Sequence, residues 1–384
     1  MANGSTVEHF DVLVVGAGIS GVNAAYHLTH QCSGTHFVVL EAFDTFGGTW
    51  WSHKYPGIRS DSDLYTFGYR FKPWVGPPIG TAQEILAYMG EVIEDNGLDK
   101  HIRYGHRISS AVWSSEDQRW TITATHGDEE IQFTANFLYM GQGYYRHREG
   151  YWPDWQGMED FEGDLIHSEE WPEALDYTGK RVVVIGSGAS AATIVPNMCD
   201  DAAHVTMLQR SPTFFRTGRN AIEIADALRK LDVDESWIHE ITRKQILFEG
   251  AEFTKRTFAE PEAVRDDLIG ELRRLLGPDY DVEKHFTPSY RPWRQRIAFV
   301  PDADLFTRIA AGDASVVTDE IERFTKDGIL LKSGRELSAD LIVAATGFNM
   351  NVLGDIDFKV DGKSVDFHET LTYRGMMFTG LPNL

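Results

Sequence analysis

The stretch Asp11–Gly21, D-V-L-V-V-G-A-G-I-S-G, decides the fold that the sequence predicts. Its apolar half, preceded by Phe10, is typical of a short strand buried on both faces. Three glycines follow at once in the spacing G-x-G-x-x-G, at Gly16, Gly18 and Gly21. This spacing lets the backbone approach a pyrophosphate and lets the following helix pack closely against the strand. We therefore predict a dinucleotide-binding βαβ unit here.

The residues after the glycines complete that unit. Residues 22–29 have helical character, residues 36–40 have the pattern of a second strand, and Glu41 closes it. A carboxylate after the second strand can bind ribose hydroxyls, and the helix N-terminus offers N–H groups to phosphates. The predicted cofactor-binding residues of this unit are Gly16, Gly18, Ser20, Gly21 and Glu41.

A second glycine fingerprint, G-S-G-A-S-A, follows the predicted strand at residues 181–185. The next strand, residues 204–208, ends in Gln209-Arg210-Ser211, and no acid stands where Glu41 stood. A guanidinium at this position favours a 2′-phosphate, so we expect this site to take NADPH rather than NADH. The predicted binding residues are Gly186, Ser187, Gly188, Ala189, Ser190, Arg210 and Ser211.

Between the two fingerprints lies Phe161–Pro172, F-E-G-D-L-I-H-S-E-E-W-P. Its pattern F-x-G-x-x-x-H-x-x-x-W-P resembles the signature of Baeyer–Villiger monooxygenases, flavin enzymes that insert oxygen beside a ketone carbonyl. The resemblance implies a connector between a flavin domain and a nicotinamide domain, in which His167 and the two aromatic rings act as a latch. It also places His167 among the cofactor-site residues.

A second family motif is matched in Gly47–Asp61, G-G-T-W-W-S-H-K-Y-P-G-I-R-S-D. In the family this loop runs along the flavin, which implies cofactor contacts for Gly48, Thr49, Trp50 and Ser60 and places Asp61 near the reactive ring. The continuation, residues 60–74, is similar to the ethionamide-monooxygenase branch of the family.

Further site residues come from the same resemblance. It implies that Ile108 lies on a strand whose backbone packs on the adenine, and that the A-T-G-F turn with Thr346 and Gly347 returns the chain to the flavin domain. The segment at residues 285–301 resembles the one that supplies an active-site arginine just before a strand. The motif assigns this role to Arg296, and the neighbouring Arg291 and Arg294 stay open as alternatives.

The resemblance implies an FAD- and NADPH-dependent monooxygenase that uses O₂. Through a peroxide at the flavin C4a atom, such an enzyme inserts one oxygen atom into a ketone, giving an ester or lactone, or oxidises a sulfide. Arg296 and Asp61 are the catalytic candidates. One alternative is an N-hydroxylating or S-oxidising flavin monooxygenase. A second is a shortened, non-catalytic flavoprotein or an uncoupled NADPH oxidase, because relatives continue beyond the segment at which this sequence ends.

The predicted fold is α/β, with two Rossmann-like domains and a helical insertion at about residues 220–290. We assign residues 1–150 and 335–384 to the FAD-binding domain and residues 151–334 to the NADPH-binding domain. Within the first domain we predict strands at residues 101–109, 111–125 and 133–140.

Composition excludes several function classes. A formal net charge of -22 argues against nucleic-acid binding and against association with an anionic membrane surface. The two cysteines and the absence of C-x-x-C suit a reducing cytoplasm, and no signal peptide or spanning segment is recognisable. No metal-ligand spacing is present.

Overall fold

The computed structural model describes residues 7–384, which form two compact units. The first unit contains the chain up to Ser52, then Glu84–His147 and Asn349–Leu384. The second contains His53–Gln83 and Arg148–Phe348. Residues 53–83 and 335–348, which we placed in the FAD-binding domain, thus belong to the second compact unit. Assignment of each domain to its coenzyme by these boundaries stays a prediction.

The first unit is built on one eight-stranded sheet with a parallel part and an antiparallel part. Strand Glu8–Val15 pairs in parallel with Phe37–Leu40 on one side and with Glu129–Met140 on the other. In spatial order the strands are Lys363–Ser364, Asp357–Val360, His106–Ser114, Arg119–His126, Glu129–Met140, Glu8–Val15, Phe37–Leu40 and Ile102–Arg103. The four-residue strand Phe37–Leu40 is entirely buried, as its apolar sequence predicts.

Shorter elements complete this unit. The α-helices are Ile19–Gln31, Thr49–Ser52 and Ala82–Asp95, and the 3₁₀ turns are Asp99–His101 and Phe367–Glu369. Strands Thr372–Tyr373 and Met377–Phe378 form a small hairpin. Strands Tyr145–Gly150 and Phe348–Met350 lie where the chain passes between units.

One strand prediction is wrong. The predicted strand at residues 111–125 is divided between two strands, His106–Ser114 and Arg119–His126, which pair as an antiparallel hairpin. Gln118 closes the turn with a φ of +52°, in the left-handed region. The alternation of apolar residues continues through both strands, which hid the polar turn between them.

The last described residues belong to the core of the first unit. Leu381 and Leu384 are each only 7% exposed and pack with Trp120 and its neighbours. The indole N–H of Trp120 donates to the carbonyl of Pro382 at 3.0 Å, and the Leu138 N–H donates to the Asn383 carbonyl at 2.9 Å. Residues near position 384 therefore complete the core of a sheet whose main strands lie in the first 140 residues.

The second unit contains a five-stranded, wholly parallel sheet. Its spatial order is Ala314–Thr318, His204–Gln209, Arg181–Ile185, Leu341–Ala344 and Asp164–His167. Beside it are an antiparallel sheet of Ile321–Thr325, Gly328–Leu331 and Glu336–Ser338, and a parallel pair of Phe214–Gly218 and Ile297–Pro301. The carboxyl ends of the five parallel strands share one edge, where such folds bind ligands.

The helical insertion is confirmed by the structure. The α-helices of the second unit are Leu64–Phe67, Ala189–Met198, Glu223–Arg229, Glu235–Ala259, Pro261–Leu276, Val282–Phe286 and Asp304–Ala311, and Met158–Asp160 and Ser168–Glu170 are 3₁₀ turns. Asp234 caps the longest helix by accepting the Ser236 N–H, and Pro261 opens the next helix. Gly277, with a φ of +85°, ends it.

The core of this unit explains why residues 53–83 belong to it. Tyr55 is 7% exposed and packs in one cluster with Ile194 and Val195 from the helix after the second glycine loop. Ile58 packs against the same cluster. Burial of a side chain of this size stabilises a protein by about 1.5–3 kcal/mol, which anchors the segment to this unit.

Candidate functional site

The first glycine loop has the close packing that its spacing predicts. Gly16 has a φ of +89°, and a Cβ there would lie 3.0 Å from Gln142 Cα and from the Gly141 carbonyl oxygen. A Cβ on Gly21 would lie 1.8 Å from the Gly16 oxygen. The first turn of helix Ile19–Gln31 therefore packs against the loop with no room for a methyl group.

The mouth of this loop is lined by backbone. A Cβ on Gly48 would lie 3.2 Å from Gly18 Cα, so two glycine backbones face each other. Gly18 precedes the helix Ile19–Gln31, and no side chain caps it. The N–H groups of that first turn, which includes the exposed Ser20, are thus available to a phosphate. This cradle fits a dinucleotide pyrophosphate.

Glu41 lies after the second strand, as predicted, and is only 5% exposed. Its two carboxylate oxygens accept the N–H groups of Ala17 at 2.6 Å and Phe43 at 2.8 Å. Burial raises the pKa of Glu41 above its usual range, and the backbone donors oppose that shift. Glu41 therefore holds the glycine loop in place, and its contact with a ribose stays a prediction.

The other residues predicted to bind FAD fall in different places. Thr49 and Trp50 begin the short helix directly after Gly48, and Ile108 lies beside a register shift in its strand and packs against the sheet's core. Ser60 belongs to the second unit, and its buried hydroxyl has no hydrogen-bond partner among residues 7–384. The roles of all four stay predictions.

The second glycine loop opens into space. Gly186 has a φ of +144°, and a Cβ there would lie 2.4 Å from the Ala345 oxygen, whereas a Cβ on Gly188 would meet no atom within 4 Å. Gly188 precedes helix Ala189–Met198 without a side-chain cap. Ser187 shares a hydrogen bond with Thr213 at 2.8 Å. An uncapped helix start beside open space suits a second pyrophosphate.

The end of the neighbouring strand carries the expected cation. Arg210 and Ser211 follow strand His204–Gln209 and are exposed. Gln209 is buried and donates to the His285 carbonyl at 2.6 Å and to the Thr318 hydroxyl at 2.9 Å, which fixes the strand end. Arg210 is therefore held at the carboxyl edge with its guanidinium in solvent.

The two catalytic candidates form an ion pair within the second unit. Arg296 Nη2 lies 2.5 Å from Asp61 Oδ2, just before strand Ile297–Pro301. The alternatives are placed differently: Arg291 lies over the ring of Phe258, with 4.8 Å to the ring centroid. Among the described contacts of the three arginines, the ion pair with Asp61 belongs to Arg296. Its catalytic role stays a prediction.

The signature stretch is not a free connector, because its middle, Asp164–His167, is an edge strand of the five-stranded sheet. His167 is 1% exposed, and its Nδ1 accepts the Glu169 N–H at 3.2 Å, which leaves the ring proton on Nε2. Burial lowers the pKa of His167. A Cβ on Gly150 would lie 2.1 Å from this ring. His167 is thus a neutral, tightly packed ring.

The predicted return turn meets His167. Thr346 Oγ1 donates to the Tyr151 carbonyl at 2.5 Å and lies 3.4 Å from His167 Nε2. Gly347 has a φ of +99°, and its carbonyl accepts the Tyr151 N–H at 3.0 Å. The histidine, Thr346 and Gly347 are therefore brought together at the carboxyl edge of the sheet, and their assignment to the cofactor site stays a prediction.

Two residues near this edge were not among the predicted site residues. Burial raises the pKa of Tyr55 to about 12, and the Ser190 side chain opposes that shift. Glu169 is buried beside His167. Tyr55 belongs to the Y-P-G part of the flavin-loop motif, which was the available signal; Glu169 occupies a variable position of the signature, which gave none.

Other kinds of site are absent from the described part of the chain. Residues 7–384 contain no group of three or more histidine, cysteine or acidic side chains placed to hold a metal ion. Within the same residues, no helix has the length and apolar character needed to cross a bilayer.

Known proteins resemble the chain over nearly its whole length. The Flavin-binding monooxygenase-like family matches residues 77–221, and the NAD(P)-binding Rossmann-like domain matches residues 14–75. The FAD-containing monooxygenase EthA of Mycolicibacterium smegmatis is 46% identical over 381 residues, which are 98% of this chain and 77% of the relative. EthA of Mycobacterium tuberculosis is 45% identical over 379 residues, with the same coverage.

Solved structures agree. An oxidised steroid monooxygenase bound to NADP is 26% identical with a TM-score of 0.73, covering 91% of this chain and 73% of that one. The open structure of a cyclohexanone monooxygenase is 21% identical with a TM-score of 0.76, and the match covers 94% of this chain and 78% of that one. At this identity the likeness shows that the two chains share a fold. The predicted pair of dinucleotide-binding folds is confirmed. The chain belongs to the flavin-binding monooxygenases of the Baeyer–Villiger family, in the branch of the EthA proteins, and is an FAD- and NADPH-dependent monooxygenase.

Proposed function

We propose that this monooxygenase transfers one oxygen atom of O₂ to a small ketone, giving an ester or lactone, or to the sulfur of a sulfide. The ion pair between Arg296 and Asp61 is the observation that carries the proposal. The steroid monooxygenase among the similar structures supports including a steroid ketone among the substrates to be tested.

The glycine loops supply the coenzyme sites. Gly16, Gly18 and Gly48 offer backbone to the pyrophosphate of FAD, while Gly188 and the start of its helix offer N–H groups to that of NADPH. Arg210 pairs with the 2′-phosphate, which an acid at this position would repel. When bound, FAD activates O₂ with electrons that NADPH supplies.

Arg296 provides the positive charge of the reaction site. Its side chain keeps 61% of its surface exposed, so the guanidinium can meet a ligand while Asp61, 31% exposed, holds one of its nitrogens. When a carbonyl carbon is attacked, negative charge develops on its oxygen, and a fixed cation stabilises that charge. Asp61 acts as the positioning residue, because a carboxylate that holds one nitrogen of the guanidinium limits where the rest of the group can point.

Product analysis tests the proposal. Purified protein loaded with FAD and NADPH is incubated with linear, cyclic, aryl and steroid ketones and with one aryl sulfide, and products are identified by mass spectrometry. We expect an ester, lactone or sulfoxide, and a ketone-dependent fall in the ratio of H₂O₂ released to NADPH consumed. A constant high ratio with every substrate would instead identify an uncoupled NADPH oxidase.

A cytoplasmic location is part of this proposal. It is supported by two cysteines, Cys32 and Cys199, neither of which is in a disulfide.

A further inference from the structure

Glu169 is a buried carboxyl group to which no described residue donates a hydrogen bond. The residue is only 9% exposed, and neither of its carboxylate oxygens has a hydrogen-bond partner among the described residues. An ionised carboxylate in such surroundings loses its hydration without replacement, which is strongly unfavourable. The mechanism outlined above does not use this group, so its burial requires a separate explanation.

The position of Glu169 in the sheet relates it to the second glycine loop. His167, Ala344 and Ile185 are level with one another on three adjacent parallel strands. Neighbouring strands lie about 4.8 Å apart, so the ends at His167 and Ile185 are about 10 Å apart. Glu169 follows the first end and Gly186 follows the other, on the edge at which parallel sheets bind nucleotides.

Tyr55 provides a second connection. Tyr55 packs in one core cluster with Ala191 and Ile194 of the helix after the glycine loop, and the Ser190 side chain in the first turn of that helix lowers the pKa of the Tyr55 hydroxyl. Negative charges on Asp61 and Glu169 add to burial in raising the pKa of Tyr55. The charge of an ionised Glu169 therefore extends to a residue that touches the helix start.

None of the described groups around Glu169 carries a positive charge that would neutralise the carboxylate. Burial, together with a smaller effect of the negative charge of Glu170, raises the pKa of Glu169 to about 8. His167 is neutral, because its Nδ1 accepts the Glu169 N–H. Tyr55, whose pKa is about 12, is also neutral at ordinary pH. No described salt bridge brings a lysine or arginine to this carboxyl group.

We propose that Glu169 controls coenzyme affinity: its protonated form admits the phosphates of NADP(H), and its ionisation weakens their binding. The inference rests on the assignment of Gly186–Ser190 as the coenzyme loop. A neutral carboxylic acid adds no repulsion at this edge, whereas a carboxylate at a strand end about 10 Å from the start of the glycine loop repels a phosphate bound there. Coenzyme binding is then coupled to protonation of one named residue.

Binding measurements test this inference without turnover. The dissociation constant of NADP⁺ is measured by calorimetry from pH 6.5 to 9.5 for the wild type, Glu169→Gln and the exposed neighbour Glu173→Gln. Titration of the 2′-phosphate affects all three alike. Between pH 7 and 9 we expect wild type and Glu173→Gln to lose about tenfold more affinity than Glu169→Gln. Glu170→Gln should keep this loss but shift it to lower pH, because one repelling charge is gone.

A second measurement uses only the wild type. Calorimetry at pH 8 in buffers of different ionisation enthalpy should show a fractional proton taken up with NADP⁺, since an approaching anion favours the protonated acid. Proton release, or equal pH profiles for wild type and Glu169→Gln, would overturn the inference alone. If the wild type binds no NADP⁺ at any pH, the coenzyme assignment of the loop fails as well.

Discussion

Arg296 Nη2 lies 2.5 Å from Asp61 Oδ2, which joins the start of strand Ile297–Pro301 to the segment that follows the Y-P-G motif. Two motifs far apart in the sequence thus meet through one ion pair. The most direct predictions concern these two side chains.

Replacing Arg296 with alanine should lower oxygenated product at least about 100-fold, because the charge that stabilises the developing oxyanion is removed. Flavin absorbance should be retained, and NADPH oxidation should continue in part. Arg294→Ala, in the same segment, is the control and should form product at nearly the wild-type rate. Product formation by Arg296→Ala would refute the assignment.

Asp61 and Arg296 should behave as a unit. Asp61→Ala should lower product formation less than Arg296→Ala, and the double variant should be no worse than Arg296→Ala alone. The rates of product formation in the wild type, the two single variants and the double variant together give the coupling free energy between the two side chains. Fully additive losses would show that Asp61 does not act through the arginine.

Arg210 should determine the coenzyme preference. Arg210→Ala should raise the KM for NADPH about 10–100-fold, the loss expected for one charge-assisted pair, and leave the KM for NADH nearly unchanged. Arg219→Ala, whose side chain is 78% exposed, is the matched control. Equal use of both coenzymes by the wild type would contradict this prediction.

Gly188→Ala should separate coenzyme binding from folding. A Cβ there meets no protein atom within 4 Å, and its φ of -82° suits alanine, so the Tm should not change. The methyl group would occupy the predicted path of the pyrophosphate and weaken NADP⁺ binding at least about tenfold. Gly250→Ala, which also meets nothing within 4 Å, should bind NADP⁺ normally.

Gly150→Ala should destabilise the protein by about 1–3 kcal/mol, because the new methyl group would overlap the His167 ring. Chemical denaturation monitored by tryptophan fluorescence measures the effect. In a His167→Ala background the same change should cost much less, since the ring is gone. If Gly150→Ala lowered the free energy of unfolding equally in both backgrounds, the described packing against His167 would be contradicted.

The stability of the wild type should depend on pH through Glu169. The pKa of Glu169 is about 8 in the folded state, and its ordinary value of 4.5 applies to the unfolded state. Between these two pH values the folded state therefore binds more protons than the unfolded state. The free energy of unfolding is therefore highest below pH 4.5, falls as the pH rises toward 8, and has lost the whole contribution of Glu169 once the pH has passed 8. Glu169→Gln should therefore melt at a higher temperature than wild type above pH 8, and the difference should shrink toward pH 4.5.

Local patterns predicted much of this molecule. The strands at Glu8–Val15 and Arg181–Ile185 follow from short apolar runs, and both glycine loops follow from the spacing of their glycines. At Gly16, Gly21 and Gly186 a side chain would collide with backbone. The hairpin turn at Gln118 was missed, although S-S-E-D-Q is a turn-rich sequence, because alternation on both sides suggested one continuous strand.

Contacts between distant segments were beyond sequence reasoning. Three arginines lie within six positions of each other, and only the fold brings Arg296 to Asp61. Likewise, D-L-I-H has no pattern of its own that predicts pairing with Leu341–Ala344, so the signature looked like a linker. The burial of Glu169 depends on that pairing and was equally hidden.

The hydrogen bonds from Trp120 to Pro382 and from Leu138 to Asn383 have a consequence for biosynthesis. All strands of the five-stranded sheet lie between Asp164 and Ala344, so that sheet can form while translation is still in progress. The unit that starts at the N-terminal strand must wait until position 384 has left the ribosome. The unit that contains Glu8–Val15 is therefore completed after the five-stranded sheet, although its first strands are synthesised earlier.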